Sequence, residues 1–137
     1  MKLKTIIAGR HKTIYSPITG NGVTPAFELF MDEVEGNYAS SLAGIITFME
    51  LHASKGRTAF NTSQVHYVDQ SEQIYQYIKG RLRVFWFEDG DDVVICTHGI
   101  VKKSQKTPQR DIDKAKRIKR LYLESKNDSR IEFIDEE

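Results

Sequence analysis

Three lysines, Lys102, Lys103 and Lys106, fall within five positions of the stretch GIVKKSQKTP (99–108), after an apolar run and before a proline. Just upstream lie His98 and, one run earlier, Arg81 and Arg83. Arginine offers phosphate a rigid fork of donors, and lysine a mobile point charge. An imidazole can exchange a proton near neutral pH. RNA supplies its own nucleophile, the 2′-hydroxyl. A protein that cuts it need only position it, deprotonate it, stabilise the growing charge and protonate the leaving oxygen. Arg83 with Lys102 or Lys103 would hold the reacting phosphorus. His98 would serve as base or acid. No carboxylate cluster accompanies these residues, so the expected chemistry is metal-independent and needs no cofactor.

Whether these side chains meet depends on the elements that carry them. The runs QIYQYIK (73–79), RLRVFWF (81–87) and DVVICTH (92–98) are rich in β-branched and aromatic residues and read as an antiparallel meander. Asp89-Gly90 reads as a two-residue hairpin turn. Leu82 would then pair with Thr97, and Trp86 with Val93. On that register Leu82, Val84 and Trp86 share an apolar face with Val93, Ile95 and Thr97, which belongs against helices. Arg81, Arg83, Phe85 and Phe87 share the other face with Val94, Cys96 and His98. A turn at Lys79-Gly80 sets Gln76 opposite Arg83 and Ile78 opposite Arg81. Gln76, Arg81, Arg83 and His98 thus gather at the end where the chain enters its lysine-rich bend.

Further elements frame the meander. Residues 3–8 (LKTIIA) and 13–18 (TIYSPI) read as paired strands, and ITGNGVT as a loop. Thr24-Pro25 is a helix start, threonine capping and proline filling the first turn. Gly36 stops that helix. A second runs from about Asn37 to Lys55-Gly56, with Tyr38, Leu42, Ile45, Ile46 and Met49 forming its apolar stripe. The two read as a helical hairpin on a flat surface, with His52 at the exterior. A last helix opens at Thr107-Pro108 and buries Ile112, Ala115, Ile118 and Leu121. Lys114, Lys116, Arg117, Lys119 and Arg120 lie around the rest of it.

The chain of 137 residues carries a net charge of only +1, but the charge is segregated. Residues 101–126 hold ten Lys or Arg against three acids, and the first twelve residues hold four bases and no acid. Acids gather at 28–35, at 88–92 and in the tail DSRIEFIDEE (128–137). Such separation makes one basic surface on a nearly neutral protein, and nucleic acid is the commonest polyanion partner. A single cysteine, Cys96, excludes an intramolecular disulfide framework and gives no zinc-ligand spacing. No apolar run approaches a membrane span. The expectation is one domain over residues 1–125, a loose acidic tail over 126–137, and a soluble cytoplasmic protein with no membrane partner.

From Ile74 to Ile118 the chain resembles the RelE/ParE toxin superfamily, in its phage-derived, HigB-like (Gp49-like) branch. IYQY is similar to a strand usually reading aromatic-Glu-Leu-Arg, and RLRVFWF to the strand that follows it. VVICTHGIVKKSQKTPQRDIDKA is similar to a segment with His, Gly, Lys-Lys and Gln-Lys-Thr-Pro in the same places. Gln76 stands where glutamate is usual, Ile78 where arginine is usual, and Ile100 where phenylalanine is usual. The resemblance implies an α+β, RelE-like fold. That is a small antiparallel twisted sheet with the N-terminal helical hairpin on one face and a C-terminal basic helix. It also implies the toxin of a type II toxin–antitoxin pair, acting as a ribosome-dependent mRNA endoribonuclease. Its partners would be mRNA on the ribosome and a cognate helix-turn-helix, HigA-like antitoxin. Carried across, Arg83 is the arginine that holds the scissile phosphate, with Lys102, Lys103 and His98 completing the catalytic set. Gln76, Arg81, Lys106, Arg110, Lys114 and Arg117 are the expected RNA contacts. A ParE-like gyrase inhibitor and a non-catalytic phage-derived binding protein are the alternatives. Intact mRNA with DNA damage after induction marks the first, and binding without growth arrest the second.

Overall fold

The computed structural model describes residues 1–19, 22–34 and 36–134. Part of the ITGNGVT loop (Gly20, Asn21), Glu35 and the last three acids of the tail lie outside the described residues. The fold is α+β. In chain order it comprises β1 (Lys2–Ala8), β2 (Thr13–Ile18), α1 (Ala26–Glu33), α2 (Ala39–Lys55), β3 (Val65–Asp69), β4 (Ile74–Lys79), β5 (Leu82–Asp89), β6 (Val93–Val101), α3 (Gln109–Asn127) and β7 (Glu132–Ile134). Among the described residues the seven strands make one sheet, ordered β3-β4-β5-β6-β2-β1-β7. The expected small antiparallel sheet is therefore corrected to a larger, mixed one. β3 to β6 form the antiparallel meander, but β2 pairs parallel to β6, and β7 parallel to β1. α1 and α2 carry the chain from β2 across to β3 at one edge of the sheet, so that the meander returns β6 parallel to β2, and α3 carries it from β6 to β7 at the other edge.

Helices cover both faces. On one, Ile45, Met49 and Ala53 of α2 and Phe27 and Phe30 of α1 pack on Tyr77, Val84, Trp86 and Cys96. Tyr75 and Trp86 stack there with ring centroids 4.6 Å apart. On the other face, Ala115 and Tyr122 of α3 pack on Leu3, Ile74, Phe85, Phe87 and Ile95. α1 starts at Ala26 with no side-chain cap, so Thr24 does not play its expected part. In α3 the stripe runs Ala115, Ile118, Tyr122 and Ser125, while Leu121 is exposed. His52, expected at the exterior, is fully buried, bonded to the Tyr77 hydroxyl at 2.6 Å and to Glu88 at 3.0 Å. The tail expected to be loose continues α3 to Asn127, and its residues 132–134 then extend the sheet along β1.

The β5–β6 register departs from the expected one. Asp89 pairs with Val93, leaving a three-residue loop, Gly90 to Asp92. Tertiary contacts hold that loop: Thr13 N–H donates to the Asp92 carbonyl at 2.8 Å, and the Lys12 ammonium to the Asp91 carbonyl at 2.8 Å. Asp89 stays in the strand because Tyr122 and Lys126 of α3 donate to its carboxylate at 2.6 and 2.7 Å. Consequently Val94 and Cys96, rather than Val93, Ile95 and Thr97, join Val84 and Trp86 on the α1/α2 face. A bulge between Phe85 and Trp86 then reverses the alternation, so that His98 pairs with Phe85. His98 and Arg83 end on one face as expected, by a different route.

Candidate functional site

Two turns build the candidate site. Lys79 pairs with Leu82, so the β4–β5 turn is Gly80-Arg81, not Lys79-Gly80. Gly80 has φ +56°, the left-handed conformation that the first position of such a hairpin requires. Ile78 then faces Arg83, and Gln76 faces Phe85. β6 runs through Val101, three residues into the stretch read as a bend. Lys102 N–H donates to the Arg81 carbonyl at 2.6 Å and clips the lysine-rich bend onto the β4–β5 turn.

The result is an open cavity of about 420 Å³ lined by Gly80, Arg81, Arg83, Lys102, Lys103, Ser104 and Gln105. It has four cationic side chains and no carboxylate. The Arg83 guanidinium donates to the carbonyls of Gly80 and Leu82, both at 2.8 Å, which fixes its direction. Partial burial lowers its pKa, but a guanidinium stays charged at any physiological pH. None of the four makes an ion pair with a described carboxylate. Four like charges held together without a counterion form a seat for an anion.

His98 is elsewhere. It is 5% exposed, lies against the Phe85 ring, and does not line this cavity. Its Nδ1 is 3.0 Å from the Thr97 hydroxyl, and its Nε2 is 3.3 Å from Asp111 Oδ1 in the first turn of α3. Burial, chiefly, pushes its pKa down to about 4, helped by Lys114 and Arg117 and opposed by Asp111. The ring is thus neutral at pH 7 with Nε2–H donating to Asp111, while Nδ1 lies beside the Thr97 hydroxyl, which donates to the Phe85 carbonyl at 3.4 Å. The expected convergence of imidazole and paired lysines does not occur.

The other expected contacts divide. Arg81 lines the cavity. Lys106 is exposed in the bend, where its carbonyl accepts from the Ser104 hydroxyl at 2.9 Å. Arg110, also exposed, lines a neighbouring cavity. Lys114 and Arg117 stand exposed on α3. Gln76 is 8% exposed between His66 and Phe85, its amide oxygen unpartnered, away from the cavity. Lys116, Lys119 and Arg120 are engaged internally: Lys116 binds Asp69 at 2.6 Å, Arg120 binds Glu72 at 3.2 Å, and Lys119 donates to the Glu72 carbonyl. Sequence reasoning missed Asp111 as the partner of His98 and the pairing of buried His52 with half-buried Glu88. A proline-started helix with aspartate in its first turn was a signal for the former. Nothing in the spacing of His52 and Glu88 signals the latter. Among the described residues no three His, Cys, Asp or Glu side chains could hold a metal ion, and no helix is long and apolar enough to cross a membrane.

Residues 48–120, more than half of the chain, match the family described as phage derived protein Gp49-like (DUF891). That span contains β3 to β6, the bend and the first two-thirds of α3. No curated protein matches the chain.

Proposed function

We propose, from the premise that this chain belongs to the phage-derived Gp49-like family, that it is the toxin of a type II toxin–antitoxin pair and cleaves messenger RNA. Family membership fits a toxin–antitoxin role. The single observation carrying the chemical reading is the cationic cavity of Arg81, Arg83, Lys102 and Lys103, with which no described carboxylate pairs. In the proposed reaction the scissile phosphate sits there. The 2′-oxygen attacks phosphorus, the bond to the 5′-oxygen breaks, and a 2′,3′-cyclic phosphate forms. The 2′-hydroxyl proton leaves to a base, and the 5′-oxygen gains one. Arg83 and the paired lysines stabilise the charge on the phosphorane. Loss of one such donor costs about 3 kcal/mol, a hundredfold or more in rate. His98 is reassigned from acid–base catalyst to an anchor of α3. The ammonium of Lys102 or Lys103 would protonate the 5′-oxygen, and the 2′-hydroxyl proton would pass to solvent water or to a ribosomal group beside the message. A helix-turn-helix antitoxin would neutralise the toxin.

His98's seat outside the cavity favours one second reading: a protein that binds an RNA or DNA backbone there without cutting it. Mapping transcript 5′ ends after induction separates the two. The nuclease reading expects growth arrest with new ends inside translated messages, both abolished by Arg83→Ala and by Lys102→Ala/Lys103→Ala. Growth arrest with intact messages would overturn it.

A further inference from the structure

The lysine-rich bend separates two cavities. Lys103 and Ser104 line both. The second, about 370 Å³, opens between the end of α1, the end of β6 and the start of α3. That volume falls within the roughly 300–1,000 Å³ of small-molecule sites. It differs in kind from the first. Phe30, Val34, Ile100 and Pro108 give it apolar walls, while Glu33 and Asp111 bring two carboxylates and Lys103 and Arg110 two cations. Gly99 makes this arrangement possible, because a Cβ there would lie 2.7 Å from the Phe30 ring.

Resting on the phosphate-binding reading above, we propose that this second cavity is a nucleobase subsite and that it prefers guanine. A nucleotide whose phosphate occupies the cationic cavity must place its sugar and base next door, and the shared Lys103 and Ser104 make this cavity contiguous. Apolar walls suit the faces of a base, and charged groups suit its edges. Glu33 is exposed and makes no ion pair among the described residues, so both its oxygens are free to accept. Asp111 is not equivalent, since one of its oxygens accepts from His98. Arg110 is 89% exposed in its side chain and only 3.8 Å from Asp111, a loose pairing it can leave. Guanine alone offers two adjacent donors, N1–H and the 2-amino group, on one edge and two adjacent acceptors, O6 and N7, on another. A carboxylate matches the first and a guanidinium fork the second. Uracil offers one donor between two acceptors, and faces Glu33 with mismatched lone pairs.

Calorimetric titration of the full chain with inorganic phosphate, guanosine 3′-monophosphate and uridine 3′-monophosphate tests this. The expected result is binding of all three, with the guanosine nucleotide at least tenfold tighter than the uridine one. Glu33→Gln, at an exposed position where the fold is not at stake, should bring that ratio close to one. It replaces one acceptor by a donor. Arg110→Ala should reduce the ratio as well. Equal affinity of wild type for the two nucleotides, with phosphate still bound, would overturn the base subsite and leave the cationic seat standing. No binding of phosphate at all would overturn both.

Discussion

His98 has Nε2 bonded to Asp111 and Nδ1 beside the Thr97 hydroxyl, under a helix that also brings Lys114 and Arg117 near it. A buried imidazole so placed holds α3 to β6 by its neutral form. The unfolded chain protonates its histidines near 6.5, whereas folded His98 resists until about 4, and burial lowers His52 as well. Between those limits the unfolded state binds more protons, so stability rises with pH. It is complete above about pH 6.5 and is lost progressively as pH falls toward 4. Each imidazole contributes a slope of at most about 1.4 kcal/mol per pH unit. The carboxylates of Glu88 and Asp89 are held below their ordinary values and act only at lower pH. Urea unfolding of wild type and His98→Asn at pH 7, 6 and 5 measures this. Wild-type stability should decline across that range and the variant's should decline less steeply, and identical slopes would refute the neutral anchor.

α1 and β6 meet beside the site through a close approach of backbone to ring. Gly99 on β6 admits the ring of Phe30, which is itself almost fully buried. Gly99→Ala should therefore displace α1 and cost about 1–3 kcal/mol, the range for overpacked cores. Thermal unfolding would show the loss, and an unchanged midpoint would mean that α1 is not seated as described. The meander itself was legible in the sequence: β4, β5 and β6 lie within two or three residues of their expected bounds. The register was not. A two-residue turn at Asp89-Gly90 satisfies local chemistry, but Lys12, Thr13, Tyr122 and Lys126 are distant in sequence and decide the loop. The bulge at Phe85 restored His98 to the Arg83 side by a second departure that local pattern cannot reveal. The convergence of Arg83 with Lys102 and Lys103 was legible because the turn, the strand end and the bend are close along the chain. His98 was misread because its partner, Asp111, belongs to a helix that the sheet register says nothing about.

Over the whole molecule, a net charge of +1 conceals two populations of bases. Lys116, Lys119 and Arg120 bind the β3–β4 turn and hold α3 on the sheet. Arg81, Arg83, Lys102 and Lys103 have no counterion among the described residues and share one cavity. Beside the exposed Lys106, Arg110, Lys114 and Arg117, only the second of these two groups is expected to displace ions from RNA. Its signature is the salt dependence of binding, since each cation engaged on a single strand contributes about 0.7 to the slope of log affinity against log salt. The decisive measurement is that slope for a short single-stranded RNA carrying 2′-O-methyl groups, which binds but cannot be cut. Lys102→Ala/Lys103→Ala is expected to lower the magnitude of the slope by about 1.4, while Lys116→Ala should leave it nearly unchanged. A slope indifferent to the paired lysines would contradict the claim that this cavity is the RNA seat.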